Sequence, residues 1–305
     1  MTDLYLICEG PIDGLDVRVL DRIIAQKLGK AVFIYGAGGD TSLGSVATFF
    51  EERSRKASPD GLLVKAVDRA YSVEDRNFSS AETVASKWRP ASKRFVWRRH
   101  EIENYLLDPG IVANAFASLS ETLPDAVPNL PQTPEEIRAI LETAAGPMIE
   151  EHVGWLVHAQ LNERKNVGLN TRIKGPPGSL RASADSRYLS RQAWLAHLST
   201  ECTRIKQECS TFSGASEFEE IAITELYDQI LGEVSQPTFF SSERYLAEMS
   251  GKDLMLALLQ YARQHSLPKL TRSVLEVELI NALERVYAPN YFVPDDFLEI
   301  ANRLV

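Results

Sequence analysis

The stretch Leu4-Tyr5-Leu6-Ile7-Cys8-Glu9-Gly10-Pro11-Ile12-Asp13 decides the fold of this chain. A continuous apolar run stopped by Glu-Gly and then Pro predicts a short strand buried on both faces. Apolar residues then recur at Leu15, Val19, Leu20, Ile23, Ile24 and Leu28, the spacing of one helical face, and Gly29 stops the pattern. Ala31 to Tyr35 reads as a second strand, broken by Gly36-Ala37-Gly38-Gly39, with a helix following from Ser42 to Arg55. Leu62 to Val67 reads as a third strand ending at Asp68, and Arg94 to Arg98 as a fourth, after a short helix around Ala81 to Trp88. Strands spaced by helices of this length imply right-handed βαβ units, hence an α/β fold with a parallel sheet flanked by helices.

Beyond about residue 110 the pattern changes. Helical periodicity dominates, as at Ile137, Ile140 and Leu141 or Leu254, Leu258 and Leu259, and long strand signals disappear. The expected organisation is an α/β domain over 1–110 and a mostly α-helical domain over 111–305, binding substrate or a partner. Gly175-Pro176-Pro177-Gly178 marks a loop between helical blocks, and Gln236-Pro237 another.

The chain has 305 residues, enough for one large domain or two ordinary ones, and its 44% apolar and 25% charged content is that of a globular protein. No run approaches the roughly 18 apolar residues of a membrane span. The apolar start lacks a basic lead and is too short for a signal peptide, so a cytoplasmic location is expected. Cys8, Cys202 and Cys209 have neither disulfide-framework nor metal-ligand spacing, and Cys8 reads as a small buried hydrophobe. A net charge of −9 argues against tight non-specific binding to nucleic acid, although a local basic patch matters more than the total.

In a parallel α/β sheet, ligands gather at the carboxyl ends of the strands. Glu9 follows the first strand, Asp13 lies in the turn behind it, and Asp68 follows the third. If the first and third strands are neighbours, Glu9 and Asp68 come within reach of one ion. Mg²⁺ takes carboxylate oxygens and water, and it can activate water and stabilise charge in an in-line displacement at phosphorus. Taken singly, Glu-Gly after a strand is an ordinary turn, and Asp there is an ordinary helix N-cap.

These residues carry a family resemblance. Leu6-Ile7-Cys8-Glu9-Gly10-Pro11-Ile12-Asp13 resembles the first TOPRIM motif, a strand followed by Glu-Gly-x-x-Asp. Val64-Lys65-Ala66-Val67-Asp68-Arg69 resembles the second, a strand running into Asp-x-Asp. The block Arg98-Arg99-His100-Glu101-Ile102-Glu103-Asn104-Tyr105-Leu106-Leu107-Asp108-Pro109 is similar to one in OLD-type TOPRIM nucleases. It is also similar to one in the small TOPRIM-like effectors of PARIS-type phage-defence systems. The resemblance covers about residues 4–109, with Ser250-Gly251-Lys252-Asp253-Leu254 added. It implies a TOPRIM-like fold and a Mg²⁺-dependent nuclease (Mn²⁺ as alternative) cutting tRNA or DNA as a toxic antiviral effector. It also implies an ABC-type ATPase partner and dimerisation on activation. Carried over, Glu9 is a metal ligand or catalytic acid/base, and Asp13 and Asp68 are metal ligands. Glu101 or Glu103 completes a second site or orients the strand end, with Glu103 as metal ligand, and Lys252 stabilises charge on the transferred phosphate. The second Asp of Asp-x-Asp is missing, since residue 70 is Ala70, with Glu74 or Asp75 as substitutes from the following loop. That loss leaves a one-metal enzyme or a catalytically degenerate binding subunit open beside the nuclease.

From Lys87 to His100 the chain carries Lys87, Arg89, Lys93, Arg94, Arg98 and Arg99, interleaved with Trp88 and Trp97 and free of acids. Lys93, Arg94, Arg98 and Arg99 are therefore candidate nucleic-acid contacts, the alternative being a solvated face over buried tryptophans. A second basic segment spans Arg164 to Arg191 and either grips nucleic acid or is a solvated loop. The glycine turn after the second strand invites a dinucleotide reading but does not fit Gly-x-Gly-x-x-Gly. The five histidines lack metal spacing, and the chain carries no Gly-x-x-x-x-Gly-Lys-Ser/Thr loop, so ATP hydrolysis would come from another protein.

Overall fold

The computed structural model describes residues 4–56, 69–74, 88–89, 93–122, 130–163, 172–182, 187–209, 216–286 and 295–304. The sheet strands are β1 Leu4–Cys8, β2 Phe33–Gly36, β3 Arg69–Glu74, β4 Trp88–Arg89 and β5 Arg94–Val96, in the order β2-β1-β3-β5-β4. Pairing is parallel throughout, except that β4 runs antiparallel to β5. Helices make up most of the described chain. The first half carries α1 Leu15–Leu20, α2 Asp40–Lys56, α3 Glu103–Leu106, α4 Pro109–Thr122, α5 Pro134–Ala145, α6 Ile149–Glu163 and α7 Gly178–Ala182. The second carries α8 Arg191–Glu208, α9 Glu220–Val234, α10 Pro237–Ser241, α11 Arg244–Glu248, α12 Gly251–His265, α13 Arg272–Val286 and α14 Asp295–Arg303. Among the described residues, no helix is long and apolar enough to cross a membrane.

β1 runs beside both β2 and β3, which is why its Leu6, Ile7 and Cys8 are almost wholly buried. On one face Ile7 packs with Leu43 and Phe50 of α2, and Tyr5 stacks on Phe50 at 4.4 Å between ring centroids. The helix after β1 does not stay α-helical. From Asp21 to Lys27 it widens into a π-helix, with Leu28 N–H donating to Ile23 O at 2.9 Å, and Gly29 ends it at φ 64°. The apolar stripe Leu15, Val19, Leu20, Ile23 and Ile24 is buried as its periodicity predicts. Its polar side meets α13 through Arg18–Glu276, Arg22–Glu284 and Lys27 to the Glu284 carbonyl.

Several expectations shift. The third described strand is Arg69–Glu74, so the strand expected at Leu62 to Val67, like Asp68, lies outside the described residues, as does the helix expected before Trp88. Trp88 itself is in β4, pairing with Phe95. By contacts the chain does not divide near residue 110. One compact unit comprises Met1–Asn77, Val84–Ala139 and Gly251–Val305, and the other Phe78–Thr83 and Ile140–Ser250. The sheet unit thus recruits the last helices: α13 packs along α4, and Phe297 of α14 lies 5.3 Å from both Trp97 and Tyr105 rings.

The second unit is built on α6, α8 and α9. Gly154 on α6 lets the Trp194 ring of α8 lie against its backbone, since a Cβ there would fall 2.1 Å from the indole. Buried Glu151 takes hydrogen bonds from Trp155 Nε1 (3.0 Å), Trp194 Nε1 (3.3 Å) and Leu189 N–H (2.8 Å). These three donors satisfy a carboxylate that would otherwise be costly to bury.

Candidate active site

The strand order reverses at β1: β2 lies on one side of it and β3 on the other. A crevice for ligands opens at such a reversal, outside the carboxyl ends of the strands. Glu9 follows Cys8, whose register partner is Val73, so the residue of β3 that falls beside Glu9 is Glu74. Arg69 pairs with Leu4, at the opposite edge of the sheet. By register, then, Glu74 holds the strand-end place expected of Asp68, and Ala70 sits near the amino end beside Tyr5.

The loop bearing Glu9 is held from behind by the glycine turn of β2. Ala37 N–H donates to Cys8 O at 2.8 Å and Gly38 N–H to Gly10 O at 3.0 Å. A Cβ at Gly36 would stand 2.3 Å from Pro11 O and 2.5 Å from Gly10 O. Gly38 and Gly39 turn away at φ 78° and 139°, a backbone region where glycine is at ease. Gly36 lets two backbones touch and Gly38 and Gly39 make the turn, which accounts for these glycines without a dinucleotide.

An acid absent from the sequence expectations meets this loop. Asp16, in the first turn of α1, folds back so that its Oδ2 would lie 2.4 Å from a Cβ on Gly10. Asp13, the acid expected there, is exposed in the intervening turn. Asp16 is charge-coupled to Glu101, and the Glu103 carboxyl to both. Lys252 acts on both Asp16 and Glu103, holding their pKa values down.

Glu101 accepts from Lys252 Nζ at 2.8 Å through one oxygen and from Lys252 N–H at 3.0 Å through the other, closing the first turn of α12. Burial works to raise its pKa, but the neighbouring His100 and the Lys252 charge and hydrogen bonds outweigh it and hold the carboxyl below its usual range. Asn104 Oδ1 accepts from Glu101 N–H at 2.8 Å. Gly251 gives α12 room to approach, since a Cβ there would meet Asn104 Oδ1 at 2.6 Å and Asn104 N at 2.9 Å. Glu103, 3% exposed, pairs with Arg272 Nη2 at 3.2 Å, and Arg272 also holds Glu276 at 2.6 Å. Burial first, and the Glu101 and Asp16 charges besides, push Glu103 up to about 7, against the pull of Lys252. Burial likewise raises Asp16, opposed by a backbone hydrogen bond and Lys252 and reinforced by Glu101.

The basic segment is organised differently from its sequence reading. Trp97 is core, 1% exposed, packed on Phe95, Tyr105 and Phe297. Arg98 faces α14, with Nε 2.7 Å from Asp296, Nη1 3.2 Å from Asp295 and Nη2 3.4 Å from Glu299. Tyr105 OH donates to buried Asp296, and Arg99 donates to the Asn104 carbonyl while lying 5.2 Å over the Tyr105 ring. Lys93 and Arg94 are half-buried, Lys93 at φ 47°. Arg98 and Arg99 thus tie the Arg98–Asp108 block to the fold. His100, 3% exposed with Nε2 4.0 Å from Glu101, is part of the same interior.

Asp16 was missed because an acid in a first helical turn is explained by the helix dipole alone. Its only sequence signal is the side-chain-free Gly10 at the strand end, with room beside it. Arg272 and Glu276 have the i,i+4 spacing of a helical ion pair, but their links to Glu103 and Arg18 had no signal, because those partners are far along the chain.

Carboxylate oxygens are the hard donors Mg²⁺ takes, and Mg²⁺ commonly uses one or two of them with water for the rest. Glu9, Asp16, Glu101 and Glu103 offer that chemistry. Among the described residues, no group of three or more His, Cys, Asp or Glu side chains forms a ready ligand cage. No model of a known protein family matches the chain, and no curated protein matches it.

Proposed function

We propose that this protein is a divalent-metal-dependent phosphodiesterase of the TOPRIM kind, cutting tRNA or DNA at the carboxyl edge of its sheet. The observation that carries this reading is the return of Asp16 to Gly10, which sets a half-buried acid against the Glu9 loop, where it feels the Glu101 charge and is felt by Glu103. Neighbouring acids that repel each other favour a bound cation. Glu9 and Asp16 would hold Mg²⁺ or Mn²⁺, with Glu103 near enough in charge to sense it. When bound, the ion would lower the pKa of water and stabilise charge at phosphorus. Glu101 holds the Lys252 ammonium by its Nζ, and that side chain, 54% exposed, can turn toward a phosphate oxygen. Glu103 with a pKa of about 7 exchanges a proton near neutrality, as a general acid or base must. The resemblance extends the proposal to an effector released by an ABC-type ATPase and active as a dimer.

A second reading has its own observation. Glu101 and Glu103 already carry cations, Lys252 and Arg272, so the acids are partly neutralised within the chain. This favours a TOPRIM-like regulatory or binding subunit without cleavage. Incubating the full chain with plasmid and total tRNA in Mg²⁺ or Mn²⁺, beside Glu9→Ala and Asp16→Asn, separates the two. Cleavage abolished in both variants supports the enzyme. Equal cleavage by all three proteins removes these residues from the site. No cleavage, with no heat of Mg²⁺ binding by calorimetry, supports the binding subunit.

A further inference from the structure

The second basic segment contains an extended strap whose main chain is gripped by side chains. Ile173 N–H donates to Asn162 Oδ1 at 2.9 Å, and Ile173 O meets His158 Nε2 at 2.9 Å and Asn162 Nδ2 at 3.2 Å. Lys174 N–H donates to Glu201 at 2.9 Å, and Lys174 O meets His197 Nε2 at 2.8 Å. Arg204 donates to Arg172 O at 2.8 Å. All five clamping residues come from α6 and α8, within one compact unit. Gly175 continues the strap against Trp155, whose ring would stand 2.9 Å from a Cβ.

Every backbone group from Arg172 O to Lys174 O is thereby fixed, in a segment without helix or sheet of its own. Ile173 is 3% exposed, whereas Arg172 and Lys174 on either side are exposed. In extended backbone, alternate residues share a face, so both side chains leave the strap on its exposed side from Cα atoms about 6.6 Å apart. Successive phosphates of an extended nucleic-acid strand can meet such a pair. Neither side chain forms an ion pair among the described residues. Among the described residues, Glu201 and Glu208 are already engaged by Arg204. Arg98, Lys252 and Arg272, in contrast, are all held by carboxylates of the chain.

We propose that the clamped strap Arg172–Lys174 is a pre-fixed grip for the phosphate backbone of nucleic acid, with Arg172 and Lys174 contacting phosphates. The clamp holds the backbone beforehand, so binding orders only two side chains. The grip is independent of cleavage and is measured in EDTA. Labelled oligo(U), oligo(dT) and polyglutamate are titrated into the full chain by anisotropy, across roughly 50 to 200 mM salt. Each phosphate contact contributes about 0.7 to the salt slope on a single strand, so Arg172→Gln/Lys174→Gln is expected to lower it by roughly 1.4. The salt-induced loss of affinity over that range then shrinks about 7-fold. Asn162→Ala, with both charges kept, weakens binding and leaves the slope unchanged, at temperatures where circular dichroism shows it folded. An unchanged slope in the double variant overturns the proposal, as does wild-type protein that binds no oligonucleotide. Equal affinity for polyglutamate and the oligonucleotides also overturns it. Metal-dependent cleavage that survives the double variant, with an unchanged slope, sinks the strap and spares the active site. A lowered slope in a protein that never cleaves does the reverse.

Discussion

Replacing Glu103 with Gln removes a carboxyl whose pKa rises from 4.5 unfolded to about 7 folded. The folded state therefore binds this proton more tightly than the unfolded state. Its contribution to stability is full below the unfolded pKa and is lost as pH rises through the folded pKa near 7. With these two values, the wild type forfeits about 2.5 kcal/mol from this group between about pH 5 and pH 8. The glutamine amide does not titrate, so the variant escapes that loss. The informative quantity is the stability of E103Q minus wild type, in which other titrating groups largely cancel. We expect it to rise by about 2.5 kcal/mol from pH 5 to pH 8, whatever offset the weakened Arg272 contact adds at every pH. Urea unfolding at several pH values, read at constant m, measures it. A difference that stays flat across this range would show that burial and the neighbouring acids do not hold Glu103 as described. Repeating the pH 8 point with Mg²⁺ adds a second arm. If the ion relieves the acid cluster, it raises wild-type stability more than that of E103Q.

Gly36→Ala pushes a methyl into Gly10 O and Pro11 O, so the Glu9 loop must shift. If the chain cleaves as proposed, the variant is expected to lose roughly ten- to a hundredfold in rate while the far-ultraviolet spectrum is kept, and full activity would show that the loop position is not critical. Tyr105→Phe removes the hydroxyl that donates to buried Asp296 and accepts from Arg99 N–H. A loss of about 1–3 kcal/mol in urea unfolding is expected, and a neutral result would mean water replaces it. Trp97→Ala should cost about 3–5 kcal/mol as a core truncation. If Trp97 instead stacked on bases, the substitution would weaken oligonucleotide binding and leave stability intact.

Periodicity alone gave β1, β5 and the stripe of the first helix, because local burial patterns follow from local residue order. Asp68 and the strand expected before it lie outside the described residues, while β3 runs Arg69–Glu74. A mixed run such as Arg69-Ala70-Tyr71-Ser72-Val73-Glu74 has no clear apolar signature, so propensity does not locate it. Trp97 and Arg98 were legible as a basic aromatic segment but not in their roles. Their partners on α14 lie about 200 residues on, as with Arg98 and Asp296 at a separation of 198.

The sequence by itself determined that the chain begins with an α/β sheet, that Glu9 follows its first strand, and that acids recur at Glu101 and Glu103. These follow from strand and turn chemistry within a few residues. Only the tertiary structure decided which acids share a neighbourhood. It brought Asp16 rather than Asp13 to Gly10, gave Glu101 to Lys252 and Glu103 to Arg272, and set Arg98 against the acids of α14. It also fixed the backbone beneath Arg172 and Lys174. Pairing and burial set the charge state and availability of each group, and both depend on segments far apart in the chain.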